Sequence, residues 1–379
     1  MIYLDYNATT PIAREVAEAM IPIIYDNFGN PSSAHAIGKK AKKALEKARN
    51  QVSRVLGCKG DEIVFTSGGT ESNNMVLKSA ARTLRNRGNH IITTKIEHPS
   101  IINAALFLME YGCDVTFLPV DTYGCLDPAE VKKSIRKDTI LISVMHANNE
   151  TGTIQPIAEI GCIAKEHGIL FHTDAAQSVG KIKTDVRDLG VDLLSIAGHK
   201  LYAPKGVGAL YIRSGVKIEP FLHGGGQEMG LRSGTENVVH NVGLGMACEL
   251  IMDNLANDMT RIRDLRNRLH DRISSAVPEV VLNGHPEQRL PNTLYLSFPG
   301  LVGEEILKEI PDLCASTGAA CHDKSVKLSH VLGAMGVDKY VGMGSIRLSL
   351  GRHTTEAEAD EAANLLIMAV KRKKSGNIK

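Results

Sequence analysis

LLSIAGHKLYAPKGVGALYI, residues 193–212, sets a lysine between two short apolar runs. LLSIA (193–197) and VGALYI (207–212) have the length and the Leu/Ile/Val content of strands buried on both faces. Lys200 follows the first run directly, in the turn GHK. Five similar runs come earlier: IVF (63–65), HIIT (90–93), VTFLPV (115–120), ILISVMH (140–146) and ILFHTD (169–174). Helical patterns lie between several of them. Ile37, Ala41, Ala44, Leu45, Ala48, Val52, Val55 and Leu56 recur at i, i+3/i+4 spacing. Asp127-Pro128-x-Glu130 gives a helix an N-cap, a proline at N1 and an acid at N3. Gly168 stops a helix over 157–167. The alternation predicts an α/β fold with a mostly parallel sheet covered on both faces.

Beyond about residue 258 the pattern changes. A charged helix (MTRIRDLRNRLHDRISSA) leads to NTLYLSF, a GEEILKEI helix, a loop with Cys321, SIRLSL and a last helix opened by the capping box Thr355-x-x-Glu358. This reads as a second, smaller α+β domain, and 379 residues suffice for two.

Composition narrows the function. Lys+Arg is 44 and Asp+Glu 42, a net charge of +2, so no electrostatic footprint for direct binding to nucleic acid or an anionic membrane is present. The basic cluster Lys371, Arg372, Lys373, Lys374 closes a helix, where cations suit the dipole. No apolar run approaches the ~18 residues that span a bilayer. MIYLDYNATTP lacks the features of a signal peptide. The seven cysteines are scattered with no C-x-x-C pair, which argues against a disulfide framework or a metal site. The expectation is a cytoplasmic protein in a reducing compartment.

Three motifs carry chemistry. TSGGTESNN (66–74) follows a strand and opens a helix, where Gly68, Gly69 and Thr70 suit a phosphate; alone it is equally a tight strand–helix turn. In HTDAAQS (172–178), Asp174 ends a buried strand and needs a partner, which a protonated cofactor ring nitrogen, an arginine or a helix N-terminus would supply. Lys200 suits an imine-forming amine if partly buried; alone it is an exposed turn lysine. Together they meet the three demands of pyridoxal 5′-phosphate: phosphate anchor, ring-nitrogen partner and attachment lysine.

LDYNATTP, GNPSS, TSGGTESNN, EHPSI, NNETG, HTDAAQSVGK, GHK, HGGGQEMGLRSGTEN and IRLSLGR occur in that order, from Leu4 to about Glu361. The chain thereby resembles the cysteine desulfurases, pyridoxal-phosphate enzymes of the class V aminotransferase family. RSGT (232–235) and the long loop after Cys321 resemble their group I, NifS/IscS-like branch. The resemblance implies a fold-type I, aspartate-aminotransferase-like architecture. Residues 15–257 then form a large domain around a mostly parallel seven-stranded sheet; 1–14 and 258–379 form the small domain, with the catalytic cysteine loop at about 316–328.

The resemblance also assigns roles. Lys200 attaches the cofactor, Asp174 pairs with its ring nitrogen, and Gln177 bonds the ring hydroxyl. His98 lies over the ring and transfers protons; without the motif it would be a histidine capping a strand end. Gly69, Thr70 and His199 hold the phosphate, with Thr235 contributed by the partner of a homodimer. Ala197 stands where many relatives carry serine, so one phosphate hydrogen bond is either missing or made by Ser195. Asn149, which also belongs to the cofactor set, and Arg347 bind the substrate carboxylate; without the motif Arg347 would be a strand ion pair. Cys321, in ASTGAACHDKS (315–325), attacks the sulfur of L-cysteine, leaving alanine and a persulfide, with His322 and Lys324 as possible helpers. The sulfur then passes to an acceptor protein, either an iron–sulfur scaffold or a thiolation carrier. The other six cysteines read as packed thiols. GAACH and GGGQE also resemble selenocysteine lyases, which remain the alternative. An aminotransferase would need no thiol at 321, and a silent relay protein would lack Lys200, Asp174 or Cys321.

Overall fold

The apolar runs become strands whose side chains are almost all buried. The computed structural model describes residues 1–317, 321–322, 325–326 and 328–376. In chain order the strands are β1 (Ile2–Tyr3), β2 (Ile63–Thr66), β3 (His90–Thr94), β4 (Asp114–Leu118), β5 (Thr139–Ser143), β6 (Leu170–Asp174), β7 (Leu193–Ala197), β8 (Gly208–Ile212), β9 (Val281–Leu282), β10 (Thr293–Ser297), β11 (Leu313–Cys314), β12 (Ser316–Thr317), β13 (Cys321–His322), β14 (Ser325–Val326) and β15 (Ser345–Ser349). The helices are α1 (Arg14–Tyr25), α2 (Ala36–Leu56), α3 (Gly69–Thr83), α4 (Pro99–Glu110), α5 (Pro128–Ser134), α6 (Ile157–Glu166), α7 (Val186–Leu189), α8 (Val238–Ala276), α9 (Gly303–Lys308), α10 (His330–Ala334), α11 (Lys339–Gly342) and α12 (Glu356–Gly376).

Seven strands form the main sheet in the order β2-β8-β7-β6-β5-β3-β4. Only β8 runs antiparallel to its neighbours, so the sheet is mostly parallel, as the strand–helix alternation predicts. Alternate side chains serve opposite faces. Phe65, Phe171, Leu194 and Ile196 pack with α2, α6 and α8; Val64, Leu141, Leu193 and Leu210 pack with α3 and α4. Only the edge strand β4 keeps an exposed residue, Asp114.

The helix ends follow their sequence signals. Asp127 Oδ1 accepts from Ala129 N, and Thr355 and Glu358 exchange backbone N–H bonds. A second sheet, β12-β15-β10-β9, packs with β1, α9, α12 and the far half of α8 around another apolar cluster. Helix α8 has 39 residues and runs unbroken through 257/258. Lys373 of the basic cluster pairs with Glu305 and Glu309. Among the described residues no helix is long and apolar enough to cross a membrane.

Candidate active site

Parallel strands end on one edge of the sheet, where the loops that follow them converge. Gly69 and Thr70 follow β2, His98 follows β3, Asn149 follows β5, Asp174 ends β6, and His199 and Lys200 follow β7. With Asn7, Ala197, Gln177 and Arg347 they line one cavity of about 300 Å³. Gly68 adopts φ 149°, a conformation side chains disfavour, and so presents the N-terminus of α3 to this cavity. Ala197 sits close by: a Cβ at Gly69 would lie 3.4 Å from that of Ala197.

Lys200 ends a short 3₁₀ turn, and its Nζ donates to Asn7 O and Ala8 O, each at 2.6 Å. Burial, reinforced by Arg347, lowers its ammonium to about 8. Asp174 is nearly buried, and accepts from Asn73 Nδ2 at 2.7 Å and Ala176 N at 2.9 Å. Among the described residues no cation lies within ion-pair distance of it. A buried carboxylate with neutral donors only is suited to a protonated ring nitrogen. Burial, then the nearby lysines, push His199 down to about 4, leaving a neutral ring.

A chain of hydrogen bonds connects Asp174 to His98. Asn73 Nδ2 donates to Asp174 Oδ2 and to Ser100 Oγ at 2.8 Å, and Ser100 Oγ lies 2.8 Å from His98 Nδ1. Ser100 N also donates to Nδ1, so His98 caps α4. Both donors aim at Nδ1, which places the ring proton on Nε2. Burial lowers the pKa of His98, which keeps the ring neutral. His98 thus caps a helix and lines the cavity at once.

Arg347 donates to Asn149 O at 3.0 Å and to Asp5 Oδ1 at 2.8 Å, and its buried Nε has no partner among the described residues. The strand ion pair weighed for Arg347 exists, yet the side chain still lines the cavity. Ser195 cannot replace the serine lost at Ala197. It is fully buried, with its Oγ 2.9 Å from His172 Nε2. Thr235 is exposed and does not line the cavity of its own chain.

The side chains of Cys321 and His322, and the whole of Lys324, lie outside the described residues. The backbone of β13 pairs with β14. Both flanks of that segment meet the rim: Ser316 Oγ donates to Asp5 Oδ1, and Ser329 Oγ to Glu150 Oε2. Of the other cysteines, Cys248 is buried and its thiol is pushed up to about 12, whereas Cys162 is exposed rather than packed.

Five residues that sequence reasoning gave no role belong to this arrangement. They are Asp5, Asn7, Asn73, Ser100 and Lys181. All fall inside motifs quoted above, which was the available signal. What each one touches depends on the fold.

The model of the family described as Aminotransferase class-V matches residues 2–361. The chain is 49% identical to "Cysteine desulfurase IscS" of Dictyoglomus turgidum over 96% of its own length and 93% of that protein. A solved "NIFS-LIKE PROTEIN" superposes with a TM-score of 0.92 at 40% identity, covering 98% of this chain and 99% of the other. "SspA in complex with cysteine" gives 0.81 at 37%, covering 94% and 100%. The helix N-terminus, Asp174 with its neutral donors and the partly buried Lys200 also fit pyridoxal phosphate in their own right. Cavity chemistry and likeness agree that the chain belongs to the aminotransferase class-V family, on its cysteine desulfurase branch.

Proposed function

We propose that this protein is a pyridoxal-phosphate-dependent cysteine desulfurase that converts L-cysteine to L-alanine and retains the sulfur as a persulfide on Cys321. The observation that carries this reading is the single cavity joining Lys200, Asp174, the α3 N-terminus and Arg347. When bound, the cofactor serves as the electron sink for charge developing on the substrate carbons. Lys200 holds it and, once released, moves the substrate α-proton through Nζ. Asp174 keeps the ring nitrogen protonated. Gln177 donates to the ring oxygen, and Gly69, Thr70 and His199 hold the phosphate. His98 would lie over the ring and transfer protons, its own ring proton resting on Nε2. Arg347, with Asn149, grips the substrate carboxylate in a planar, charge-assisted contact.

Cys321 thiolate attacks the substrate sulfur. The Cβ–S bond breaks, its electron pair stays on carbon, and a proton takes the place of sulfur there. The new S–S bond leaves the sulfur oxidised and the carbon reduced, so L-cysteine plus thiol gives L-alanine plus persulfide. An acceptor thiol on an iron–sulfur scaffold or thiolation carrier then takes the outer sulfur, restoring Cys321.

Residues 15–257 are assigned to the cofactor domain, and 1–14 with 258–379 to the small domain; the two largest apolar clusters support this division except at Ala13, and a smaller cluster around Ile96, Met145 and Tyr295 bridges it. A homodimer is the working state. Exposed Ile21, Ile24, Tyr25 and Phe28 near α1, and the position of Thr235 away from its own cavity, support it. The cytoplasm is the proposed compartment.

Cys321→Ala is the direct test. It should keep a yellow cofactor band yet form no alanine from L-cysteine. A variant that desulfurates at the wild-type rate removes Cys321 from the mechanism. Running L-selenocysteine alongside L-cysteine with the wild-type protein reads out sulfur preference.

A further inference from the structure

Lys181 lies in the turn after β6, at the end of the motif HTDAAQSVGK, and none of the steps above uses it. Its Nζ donates to Gln177 Oε1 at 2.6 Å and to Asn7 Oδ1 at 3.1 Å. Among the described residues no carboxylate lies within ion-pair distance. The charged groups that bear on it are Lys200 and Arg347, and burial followed by these two pushes its amine well below the usual lysine range. A partly buried lysine held by two amide oxygens and no carboxylate is costly unless those amides are fixed for it.

Backbone carbonyls fix them. Asn7 Nδ2 donates to Asn149 O at 3.1 Å and to Thr293 Oγ1 at 2.9 Å. A carbonyl only accepts, so the Asn7 amide can sit only with Oδ1 turned to Lys181. Gln177 Nε2 donates to Asn7 O at 3.0 Å, which turns Oε1 to Lys181 in the same way. Flipping Gln177 would set its NH2 against the donating Nζ of Lys181 and its oxygen against Asn7 O, and both hydrogen bonds would be lost. One Nε2 hydrogen goes to Asn7 O, and the other has no partner among the described residues. Gln177 lines the cavity and Lys181 does not.

We propose that Lys181 is a positioning residue that locks the Gln177 amide in the one orientation offering an N–H donor to the oxygen on the ring of the bound cofactor. The inference rests on the functional reading above. It explains how a glutamine, free to flip in principle, becomes a donor only. An oxygen that receives this bond is a weaker base, so the proton shared between it and the Lys200 nitrogen is held less tightly.

The experiment is a pH titration of the visible band of the holoenzyme. Wild type is compared with Lys181→Met, Lys181→Arg, Gln177→Leu and the double variant Gln177→Leu/Lys181→Met. Lys181→Met and Gln177→Leu should each raise the midpoint by about one pH unit. The double variant should match Gln177→Leu alone, because without the amide Lys181 has nothing to lock. Lys181→Arg, which retains donors, should stay within about 0.3 units of wild type. An unshifted Lys181→Met, or shifts that add in the double variant, overturns the lock; additive shifts would mean a direct charge effect. If Lys181→Met does not fold, Lys181→Gln takes its place in both comparisons. A wild-type protein that binds no pyridoxal phosphate defeats the functional reading instead, and that outcome is separate from an unshifted midpoint.

Discussion

Lys200 shows how a common residue becomes a reactive one. In water its amine would be neutral in roughly one molecule in three thousand at pH 7; with its pKa at about 8 that rises to roughly one in ten. Only the neutral amine attacks the cofactor aldehyde. The rate at which apoprotein takes up pyridoxal phosphate should therefore climb about tenfold per pH unit below pH 8 and level off above it. Stopped-flow absorbance checks this, and a rate still rising steeply at pH 9 would refute it.

Glu97 titrates in the opposite sense. Its carboxyl is fully buried, Oε1 accepts from Thr94 Oγ1 and Met145 N, and Oε2 has no partner among the described residues. Burial is the main cause that raises it to about 8. The folded chain thus holds a proton that the unfolded chain releases near pH 4.5, so the stabilisation is full below 4.5 and lost as pH rises through 8. Glu97→Gln lacks that loss, and its stability relative to wild type should grow by a few kcal/mol from pH 5 to pH 8 in denaturant titrations. A carboxylate already ionised at pH 5 would give no such trend. At this scale the sequence was legible where several motifs constrained one another, as with Lys200 and Asp174, which alone had several readings and which the fold brings to one cavity. It was silent on Asn7, because that role depends on backbone carbonyls brought together from distant loops.

At the scale of elements, periodicity carried most of the information. Each predicted run became a strand, since runs this short, alternating with helical patterns, suit a sheet covered on both faces. Helix α8 was half hidden. Its first half lies in the apolar cluster of the large sheet and its second in that of the β12-β15-β10-β9 sheet, so one continuous helix presents two different buried faces and no single apolar stripe. Gly208 was also unreadable in advance. It starts β8, and a Cβ there would stand 2.5 Å from Ile196 O and 2.6 Å from Gly68 Cα. Both obstacles are backbone, so neither can rotate away. Gly208→Ala should destabilise the fold by about 1–3 kcal/mol. It should also weaken cofactor affinity, since the displaced residue is the one that sets the N-terminus of α3. Equilibrium unfolding and cofactor titration measure the two effects separately. A variant with normal affinity would show that the Gly68 turn absorbs the push.

Across the whole molecule, the segment that leads to Thr235 is tied down outside the lining of its own chain's cavity. Arg49 of α2 grips Glu228 with both terminal nitrogens, at 2.7 and 2.8 Å, and donates to Ile63 O. Phe65 N donates to the same carboxylate, so helix, strand and loop meet at one buried pair. Glu228 and Met229 keep positive φ values of 45° and 59°, a conformation that such residues hold only when their surroundings impose it. Arg49→Met strands a buried carboxylate and should cost about 3–5 kcal/mol. Adding Glu228→Gln removes the stranded charge and should recover part of that loss, which separates a desolvation penalty from lost packing. If Thr235 completes the partner's phosphate site, Arg49→Met should also raise the cofactor dissociation constant although every residue lining the chain's own cavity is intact. Stability recovered in the double variant with affinity still impaired would place the fault in the path of the loop. Normal affinity in Arg49→Met would show that Thr235 reaches its position without this anchor.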